Sequence, residues 1–172
     1  GEHFAQYVVL CTGVMDVQPV IQGSIEPIFP FANAQTADYC LRCDGHHTLG
    51  KRTAVIGHDS GAAWVAAMLF ERYKNPAMHI MTNGEVPKFD EDVAKLVQRY
   101  GITVHTSPIK SVDGDAKSGR LDGFHLENGE MYACEIAFVA LGMMVYNELA
   151  KTAGAALDPR GFVVTDAKGR TN

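Results

Sequence analysis

Residues 55–63 read Val-Ile-Gly-His-Asp-Ser-Gly-Ala-Ala, and this stretch decides the fold class. The short apolar run Thr53–Ile56 predicts a buried β-strand, and the alanine-rich segment Ala62–Tyr73 predicts a helix with Trp64, Met68 and Leu69 facing a sheet. A strand that passes through a glycine turn into a helix directs backbone N–H groups and the positive helix end at one spot. The stretch therefore predicts a Rossmann-like unit whose turn suits a pyrophosphate.

The turn departs from the dinucleotide fingerprint G-x-G-x-x-G/A at one position. Gly57 and Ala62 match its first and last positions, but Asp59 replaces the middle glycine. Asp59 brings a side chain and a negative charge to the place where phosphates pack. Two interpretations stay open: a dinucleotide site, or an inherited turn in which Asp59 or Ser60 only caps the helix. The candidate cofactor contacts in the turn are Gly57, His58, Asp59, Ser60, Gly61 and Ala62.

The residues after the second predicted strand are candidates for contact with an adenosine ribose. The chain reads Thr82-Asn83-Gly84-Glu85 there, and Glu85 is able to accept ribose hydroxyl groups, which favours NAD. Asn83 and Lys88 are further candidate cofactor contacts. Lys88 is the nearest cation, and no arginine is available for a 2′-phosphate. These residues do not support specificity for NADPH.

The remaining pattern predicts an open, three-layer α/β domain with a parallel sheet, flanking helices and an antiparallel β-meander. Asn128-Gly129 between alternating runs is a strong hairpin signal. Residues 16–33 contain three prolines and predict an extended connector. The second predicted helix is Asp90–Tyr100. The other predicted strands are Tyr7–Cys11, Met78–Met81, Ile102–His105, Pro108–Asp113, Arg120–Glu127, Glu130–Cys134 and Ile136–Leu141.

Composition and charge exclude several classes of partner. The chain has 172 residues, of which 47% are hydrophobic, and a formal net charge of −5. Its basic residues are scattered, so neither nucleic acid nor an anionic membrane is an expected partner. No apolar stretch approaches the roughly 18 residues of a membrane span, and no signal-peptide pattern is present. A cytoplasmic location is therefore predicted.

The four cysteines are of two kinds. Cys11 and Cys134 lie in apolar, strand-like runs, where a thiol is usually a small core residue. Cys40 and Cys43 form a C-x-x-C motif beside a loop, and in a cytosolic chain this spacing indicates redox or metal chemistry. Two such thiols can close a disulfide when their Cα atoms come within about 7 Å of each other.

The residues around the motif favour redox chemistry. Arg42 and a nearby helix N-terminus would lower the pKa of a thiol and raise its thiolate fraction at neutral pH. Asp44 directly follows Cys43 and is placed for proton transfer when a disulfide opens. The alternatives are an inert motif and a zinc site, whose ligands would be Cys40, Cys43, His46 and His47. Adjacent histidines make a poor chelate, so no metal site is assigned.

Together, the two stretches resemble the low-molecular-weight thioredoxin reductases, a family of FAD-dependent pyridine nucleotide-disulfide oxidoreductases. In that family a C-x-x-C-D-G motif precedes the Rossmann turn, and Cys40–Gly45 followed by Val55–Gly57 reproduces motif and spacing. Leu10–Gly13 is similar to the family's crossover from the FAD domain, and Ala140–Gly142 with Asn147 is similar to the returning crossover. The resemblance covers nearly the whole chain.

The resemblance implies a division of the chain. Residues 1–17 would be a stub of the FAD domain with a crossover strand, and residues 18–137 would be the NAD(P)-type domain that carries the C-x-x-C motif. Residues 138–172 would be the returning crossover and a second stub of the FAD domain, with a strand at Gly161–Thr165. Gly142 would be a further cofactor contact.

The resemblance also implies roles. The catalytic residues would be Cys43, facing the flavin, Cys40, exchanging with a partner thiol, and Asp44, acting as acid and base. The partner would be a thioredoxin-like protein or a small dithiol, and the full-length protein could form a homodimer. The family's FAD motifs lie outside these residues. FAD is therefore implied for the full-length protein, and this portion is expected neither to retain it nor to be active alone.

Two departures from the family concern the electron donor. Asp59 stands where the family has glycine, and the family's H-R-R-x-x-x-R element aligns with Thr82-Asn83-Gly84 and Lys88. Relatives that lack both elements include ferredoxin-linked flavin reductases and flavin dithiol oxidases, which do not use NADPH. The use of NAD(P)H therefore stays open, and a different donor is the first alternative. Outside this class, the alternatives are a non-catalytic nucleotide-domain scaffold and a zinc-bearing structural module.

Overall fold

The computed structural model describes residues 4–6 and 8–172, and these form two compact units. The larger unit is Val17–Leu141, and the smaller unit combines the two ends of the chain, up to Asp16 and from Gly142. In the described part of the chain, the strands are β1 (Val14–Asp16), β2 (Ala37–Asp38), β3 (Thr53–Ile56), β4 (Met78–Met81), β5 (Thr103–His105), β6 (Ile109–Asp115), β7 (Arg120–Leu126), β8 (Met131–Ala133), β9 (Ile136–Val139) and β10 (Met143–Val145). The helices are α1 (Phe29–Asn33), α2 (Leu41–Asp44), α3 (Ser60–Tyr73), α4 (Glu91–Arg99) and α5 (Glu148–Thr152), with 3-10 turns at Glu26–Ile28 and Gly45–Thr48.

A five-stranded parallel sheet lies at the centre of the larger unit, in the order β2-β9-β3-β4-β5. All four residues of β3 are buried, because this strand lies between β9 and β4 and is covered on both faces. Helices α3 and α4 pack on one face, where Ala63, Ala66 and Val97 join Val55 and Ile80 in a single apolar cluster.

An antiparallel meander covers the other face of this sheet. Strands β6, β7 and β8 pair in chain order, and the turn at Asn128-Gly129 connects β7 to β8. Phe124 and Leu126 of β7 belong to the same buried cluster as Ile56 and Met81 of the parallel sheet. The predicted fold class is confirmed: an α/β Rossmann-like domain with a parallel sheet, flanking helices and an antiparallel meander.

The smaller unit contains one antiparallel strand pair. Val14 of β1 lies opposite Val145 of β10, and Asp16 lies opposite Met143. The side-chain amide of Asn147 donates to the backbone oxygen of Gly161 at 2.8 Å, which ties the start of α5 to the following loop. The strand expected at Gly161–Thr165 is absent, and only an isolated bridge between Leu157 and Val163 forms there.

The predicted strand at Tyr7–Cys11 was wrong for its described residues. Val8–Cys11 has no strand structure and is exposed, so Cys11 is not a core residue, while Tyr7 lies outside the described residues. A β-branched run becomes a strand only when a neighbouring strand pairs with it, and no described residue pairs with this one.

The predicted connector at residues 16–33 is not extended throughout. Pro27 is the second residue of the first 3-10 turn, and Pro30 lies in the first turn of α1. The backbone N–H groups in the first turn of a helix have no intrahelical partner, so proline, which lacks an N–H, loses no hydrogen bond there. Its fixed φ also suits the first turn, and proline therefore favours these elements instead of breaking them.

Helix α3 presents a different face to the sheet from the one predicted. Trp64 and Met68 are exposed by 47% and 38%, so the prediction that they face the sheet was wrong. The third residue predicted to face the sheet, Leu69, is buried in the same cluster as Val55 and Ile80 of the sheet, as expected. The other buried residues of α3 are Ala62, Ala63, Ala66 and Ala67. Small side chains let the helix approach the sheet closely and leave the larger ones at its surface. None of the helices in the described residues is long and apolar enough to cross a membrane.

Candidate functional site

A disulfide joins Cys40 and Cys43 at the carboxyl end of the edge strand β2, with a Cα–Cα distance of 5.2 Å. Cys40 is the N-cap residue of α2, and its Sγ accepts a hydrogen bond from the backbone N–H of Cys43 at 3.2 Å. Cys43 is exposed and Cys40 is half-buried. The two free cysteines are Cys11, which is exposed, and Cys134, whose thiol has a pKa raised to about 12 by burial. The thiol of Cys134 is therefore neutral and unreactive at physiological pH.

Asp44 lies beside this disulfide. One of its carboxylate oxygens and the Sγ atoms of Cys40 and Cys43 all lie within 4.8 Å of one another. The position follows from the local fold, because α2 is a single short helix that begins after Cys40 and ends with Asp44. A carboxylate at this distance can exchange a proton with a thiolate directly or through one water molecule.

A second carboxylate near the disulfide was missed by sequence reasoning. Asp38, the last residue of β2, is 4% exposed, and its Oδ2 lies 2.9 Å from Nδ1 of His47. Burial raises the pKa of Asp38, while the hydrogen bond and charge of His47 act in the opposite direction. The negative charge of Asp44 also raises the pKa of Asp38, so the two carboxylates are electrostatically coupled. No local sequence pattern marked Asp38, because β2 contains only the two residues Ala37 and Asp38.

The four zinc ligands considered from the sequence are not brought together. His47 is engaged by Asp38, and neither His46 nor His47 belongs to the cluster of Cys40, Cys43 and Asp44. That cluster is the only group of three or more metal-ligating side chains within the described residues, and its two sulfurs are joined to each other. The arrangement is that of a disulfide beside a carboxylate.

The Rossmann turn contains a carboxylate, that of Asp59. Asp59 is the N-cap residue of α3, and its Oδ1 accepts the backbone N–H of Ala62 at 3.0 Å. The carboxylate therefore satisfies one of the free N–H groups that a bound phosphate would otherwise accept. Gly57 keeps its fingerprint role, because a Cβ there would lie 2.6 Å from the backbone oxygen of Ala140 and 2.5 Å from the Cβ of Ala62.

The segment after β4 is hydrogen-bonded to the same turn. The backbone N–H of Lys88 donates to the oxygen of His58 at 2.7 Å, and the hydroxyl of Ser60 donates to the oxygen of Lys88 at 3.4 Å. The same hydroxyl accepts the backbone N–H of Asp90 at 2.8 Å. The main chain of Lys88 thus binds the turn itself and engages the backbone oxygen of His58 and the hydroxyl of Ser60. Nδ1 of His58 is buried and has no hydrogen-bond partner among the described residues.

Asn83 links two loops instead of standing free for a ligand. Its Nδ2 donates to the oxygen of Val20, and its Oδ1 accepts the N–H of Ile109, each at 2.8 Å. Both ends of the side-chain amide are therefore used by backbone groups. Gly142 belongs to the smaller unit and has a φ of +88°, a conformation that favours glycine.

A cavity of about 290 Å³ lies where β3, β4 and β9 end, the edge at which open α/β sheets bind ligands. Among the candidate cofactor contacts, His58 and Asn83 line it together. Glu85, the candidate ribose acceptor, lines it as well, beside Thr82 and Leu141. The cavity therefore brings together His58, Asn83 and Glu85 of the predicted contacts. It lies beside the Rossmann turn, in which the Asp59 carboxylate caps α3.

A histidine pair between the two sheets, with His105 buried and His79 half-buried, was also missed from the sequence. Nδ1 of His79 lies 3.0 Å from Nε2 of His105, and the rings of His105 and Tyr132 are 3.6 Å apart between centroids. His105 is 8% exposed. Burial lowers the pKa of both histidines, and the neighbouring His79 lowers that of His105 further, while Glu130 opposes this shift. The pair is therefore neutral in the folded protein at pH 7.

We expect this pair to make the protein less stable in mild acid. Because the pKa of each histidine is lowered by folding, the unfolded chain binds protons first as the pH falls below about 6.5. The stability contributed by the neutral pair is present above that pH and is lost as the pH falls towards the folded-state pKa. The free energy of unfolding should fall by up to about 1.4 kcal/mol per pH unit for each proton taken up.

Urea unfolding between pH 7 and pH 5 would measure this slope. His105→Phe, which keeps a ring beside Tyr132 and cannot titrate, should give a shallower slope than the wild type. Equal slopes for the wild type and His105→Phe would contradict the assignment.

The sequence matches the pyridine nucleotide-disulphide oxidoreductase family over residues 2–172. The chain belongs to this family. No curated protein matches the sequence at the required significance. The match covers the Rossmann-like unit, the C-x-x-C motif and the strands of the smaller unit together, so the family assignment does not depend on the degenerate turn alone.

Solved structures of thioredoxin reductases have the same fold as this member of the oxidoreductase family. The atypical thioredoxin reductase TRi from Desulfovibrio vulgaris Hildenborough is 27% identical with a TM-score of 0.63, and the match covers 93% of this chain and 50% of that one. The enzyme from T. acidophilum is 22% identical, with a TM-score of 0.67 and coverages of 92% and 51%. The enzyme from Giardia duodenalis is 17% identical, with a TM-score of 0.72 and coverages of 92% and 52%. The chain spans about half the length of these proteins.

Proposed function

We propose that this chain carries the redox disulfide of a flavin-dependent dithiol/disulfide oxidoreductase. The supporting observation is the Cys40–Cys43 disulfide, which has an exposed member and the Asp44 carboxylate within 4.8 Å of both sulfurs. Family membership supports the reaction class. The proposed partner is a thioredoxin-like protein or a small dithiol in the cytoplasm, and FAD would be held by the full-length protein.

In the proposed reaction, the disulfide accepts two electrons from a partner dithiol. A partner thiol gives its proton to the Asp44 carboxylate as its sulfur attacks one sulfur of the disulfide to form a mixed disulfide. The other sulfur leaves as a thiolate that takes up this proton from Asp44. The second partner thiolate then breaks the mixed disulfide, so the partner is oxidised and Cys40 and Cys43 are reduced. The resemblance assigns the exchange to Cys40 and the flavin side to Cys43. Bound FAD would supply a two-electron acceptor for this dithiol.

We infer that NADPH is not the source or sink of these electrons. The Asp59 carboxylate already caps the N-terminus of α3, and backbone N–H groups of Lys88 and Asp90 bind the His58 oxygen and the Ser60 hydroxyl. These residues do not fit a pyrophosphate, so no step is assigned to a pyridine nucleotide. The same observation favours a dithiol oxidase, which would run the reaction in the direction given above. The second candidate function is a flavoenzyme that reduces the disulfide with electrons from another donor.

Stoichiometric oxidation of a dithiol by the chain tests the proposed redox pair. Oxidised chain mixed with a model dithiol peptide should oxidise one equivalent of peptide, and thiol mapping by mass spectrometry should show Cys40 and Cys43 newly reduced. Cys40→Ser and Cys43→Ser should each abolish this equivalent. The controls Cys11→Ser and Cys134→Ser should retain it, because those thiols are free in the structure. A full equivalent from Cys40→Ser would contradict the assignment.

A further inference from the structure

A pocket of about 310 Å³ opens beside the disulfide, and nothing described so far uses it. Leu41 and Arg42, the two residues between the cysteines, form one wall. Met68, Arg72 and Tyr73 of α3 form the other. Because the motif itself supplies one wall, a group that fills the pocket lies close to the sulfurs that react.

The pocket has an apolar interior and two cationic side chains. Leu41 and Tyr73 pack against the helix-side core, and their remaining surface lines the pocket with Met68. Arg42 and Arg72 are exposed, and neither forms an ion pair with any residue that the structure describes. Two unpaired guanidinium groups beside an apolar pocket complement a carboxylate group next to an apolar side chain.

The surface extends beyond the pocket along α3. Trp64, Met68 and Arg72 follow one another at intervals of four residues, so they form a stripe on one face of the helix. Trp64 is 47% exposed and Met68 is 38% exposed. Eight residues of helix span about 12 Å, longer than a small dithiol and suited to a short peptide segment. Tryptophan, methionine and arginine are also the side chains enriched in protein interfaces.

We propose that this surface, formed by Leu41, Arg42, Trp64, Met68 and Arg72, recognises an acidic peptide segment beside the reactive cysteines of a protein dithiol. An apolar side chain of the partner fills the pocket, and its carboxylates pair with the two arginines. The inference rests on the proposed function and names the partner class for the same disulfide. It also accounts for the exposed face of α3, which does not contribute to the core of the larger unit.

Thiol–disulfide exchange with matched peptides tests the proposal without any flavin or electron donor. Two peptides would share one Cys-x-x-Cys core followed by leucine, one continuing with three glutamates and the other with three lysines. Oxidised chain should react with the acidic peptide about tenfold faster at low ionic strength, as expected for two exposed ion pairs. The difference should shrink in 0.5 M salt because exposed charges are screened.

Charge reversal identifies the residues. Arg72→Glu lies outside the C-x-x-C motif and should remove or reverse the preference for the acidic peptide while leaving exchange with dithiothreitol unchanged. Met68→Asp should slow both peptides. Arg99→Glu, on the exposed face of α4, makes the same change in net charge and should keep the wild-type preference.

The outcomes separate this inference from the proposed function. If the disulfide exchanges with neither peptide nor dithiothreitol, the proposed function fails and the inference fails with it. If both peptides react equally fast with the wild type, the function stands and the acidic partner is overturned. One further outcome would overturn the acidic partner in favour of a small-molecule substrate. In that outcome, Arg72→Glu slows exchange with a small dithiol that carries one carboxylate as much as it slows exchange with the acidic peptide.

Discussion

Replacing Asp44 by asparagine should slow exchange between the Cys40–Cys43 disulfide and a dithiol peptide by about 100-fold at pH 7. Asparagine has nearly the same shape but cannot give a proton to a leaving thiolate. The carboxylate oxygen lies within 4.8 Å of both sulfurs, so removing it leaves no other described carboxylate in that cluster. Stopped-flow or quenched-flow measurement of peptide oxidation between pH 5 and pH 9 would test this.

A competing effect has the opposite sign. Removing a negative charge near the sulfurs stabilises their thiolates, which favours opening of the disulfide. At this separation and in water-like screening, the charge is worth about 1 kcal/mol. A 100-fold loss of rate corresponds to about 2.7 kcal/mol. Because Cys43 is exposed to solvent, water-like screening applies and the electrostatic effect is the smaller of the two. Asp44→Asn should therefore slow the exchange.

Two variants separate these effects. Asp44→Glu restores a carboxylate and should recover much of the rate, whereas Asp92→Asn, at an exposed site on α4, should leave the rate unchanged. A rate for Asp44→Asn within twofold of the wild type, with an unaltered pH profile, would show that Asp44 takes no part in proton transfer.

The sequence was most informative where burial on two faces leaves few choices. Thr53–Ile56 and Met78–Met81 were predicted with the bounds that the structure has. Central parallel strands are apolar on both faces, so their pattern is continuous and hard to misplace. Asn128-Gly129 fixed the turn of the meander for a comparable reason, since this dipeptide suits the backbone angles of a tight hairpin.

The wrong predictions have a common physical cause. The structure of each segment depends on contacts with residues that are distant in the sequence. Val8–Cys11 has the composition of a strand, but no described strand pairs with it. Trp64 and Met68 were predicted, together with Leu69, to face the sheet, whereas α3 buries only Leu69 of the three, beside four alanines. Residue size alone does not determine which side of a helix is buried.

The candidate site was predicted in part for the same reason. Cys40, Cys43 and Asp44 are neighbours in sequence, so the motif alone predicted that the disulfide and the carboxylate lie together. The Asp38–His47 and His79–His105 contacts join residues nine and 26 positions apart. No local pattern encodes these contacts, because they depend on how β2 meets the second 3-10 turn and how β4 pairs with β5.

The largest expected gain of function is in nucleotide binding by Asp59→Gly. In the wild type we expect NADPH to bind with a dissociation constant in the high micromolar range or weaker, and NADH to bind no more weakly than NADPH. A carboxylate about 4 Å from a phosphate charge costs about 4 kcal/mol at an effective dielectric of 20, and less with solvent screening. Because each 1.4 kcal/mol is a factor of ten, Asp59→Gly should strengthen NADH binding at least tenfold.

The substitution should cost little stability, since glycine replaces aspartate at a helix N-cap for a few tenths of a kcal/mol. Asp59→Asn is the matched control, because it removes the charge and keeps both the bulk and an oxygen that can cap Ala62. Titration calorimetry with NADH and NADPH on the three proteins would divide the gain between charge and bulk.

The structure also defines what a negative result would mean. If Asp59→Gly binds NADH no better than the wild type, the obstacle is the segment whose Lys88 and Asp90 backbone groups bind His58 and Ser60. Opening that segment would then be required before any phosphate could reach the N-terminus of α3. A low-micromolar NADPH constant for the wild type would contradict both explanations. It would show that the Asp59 carboxylate moves aside and that the turn works as an ordinary dinucleotide site.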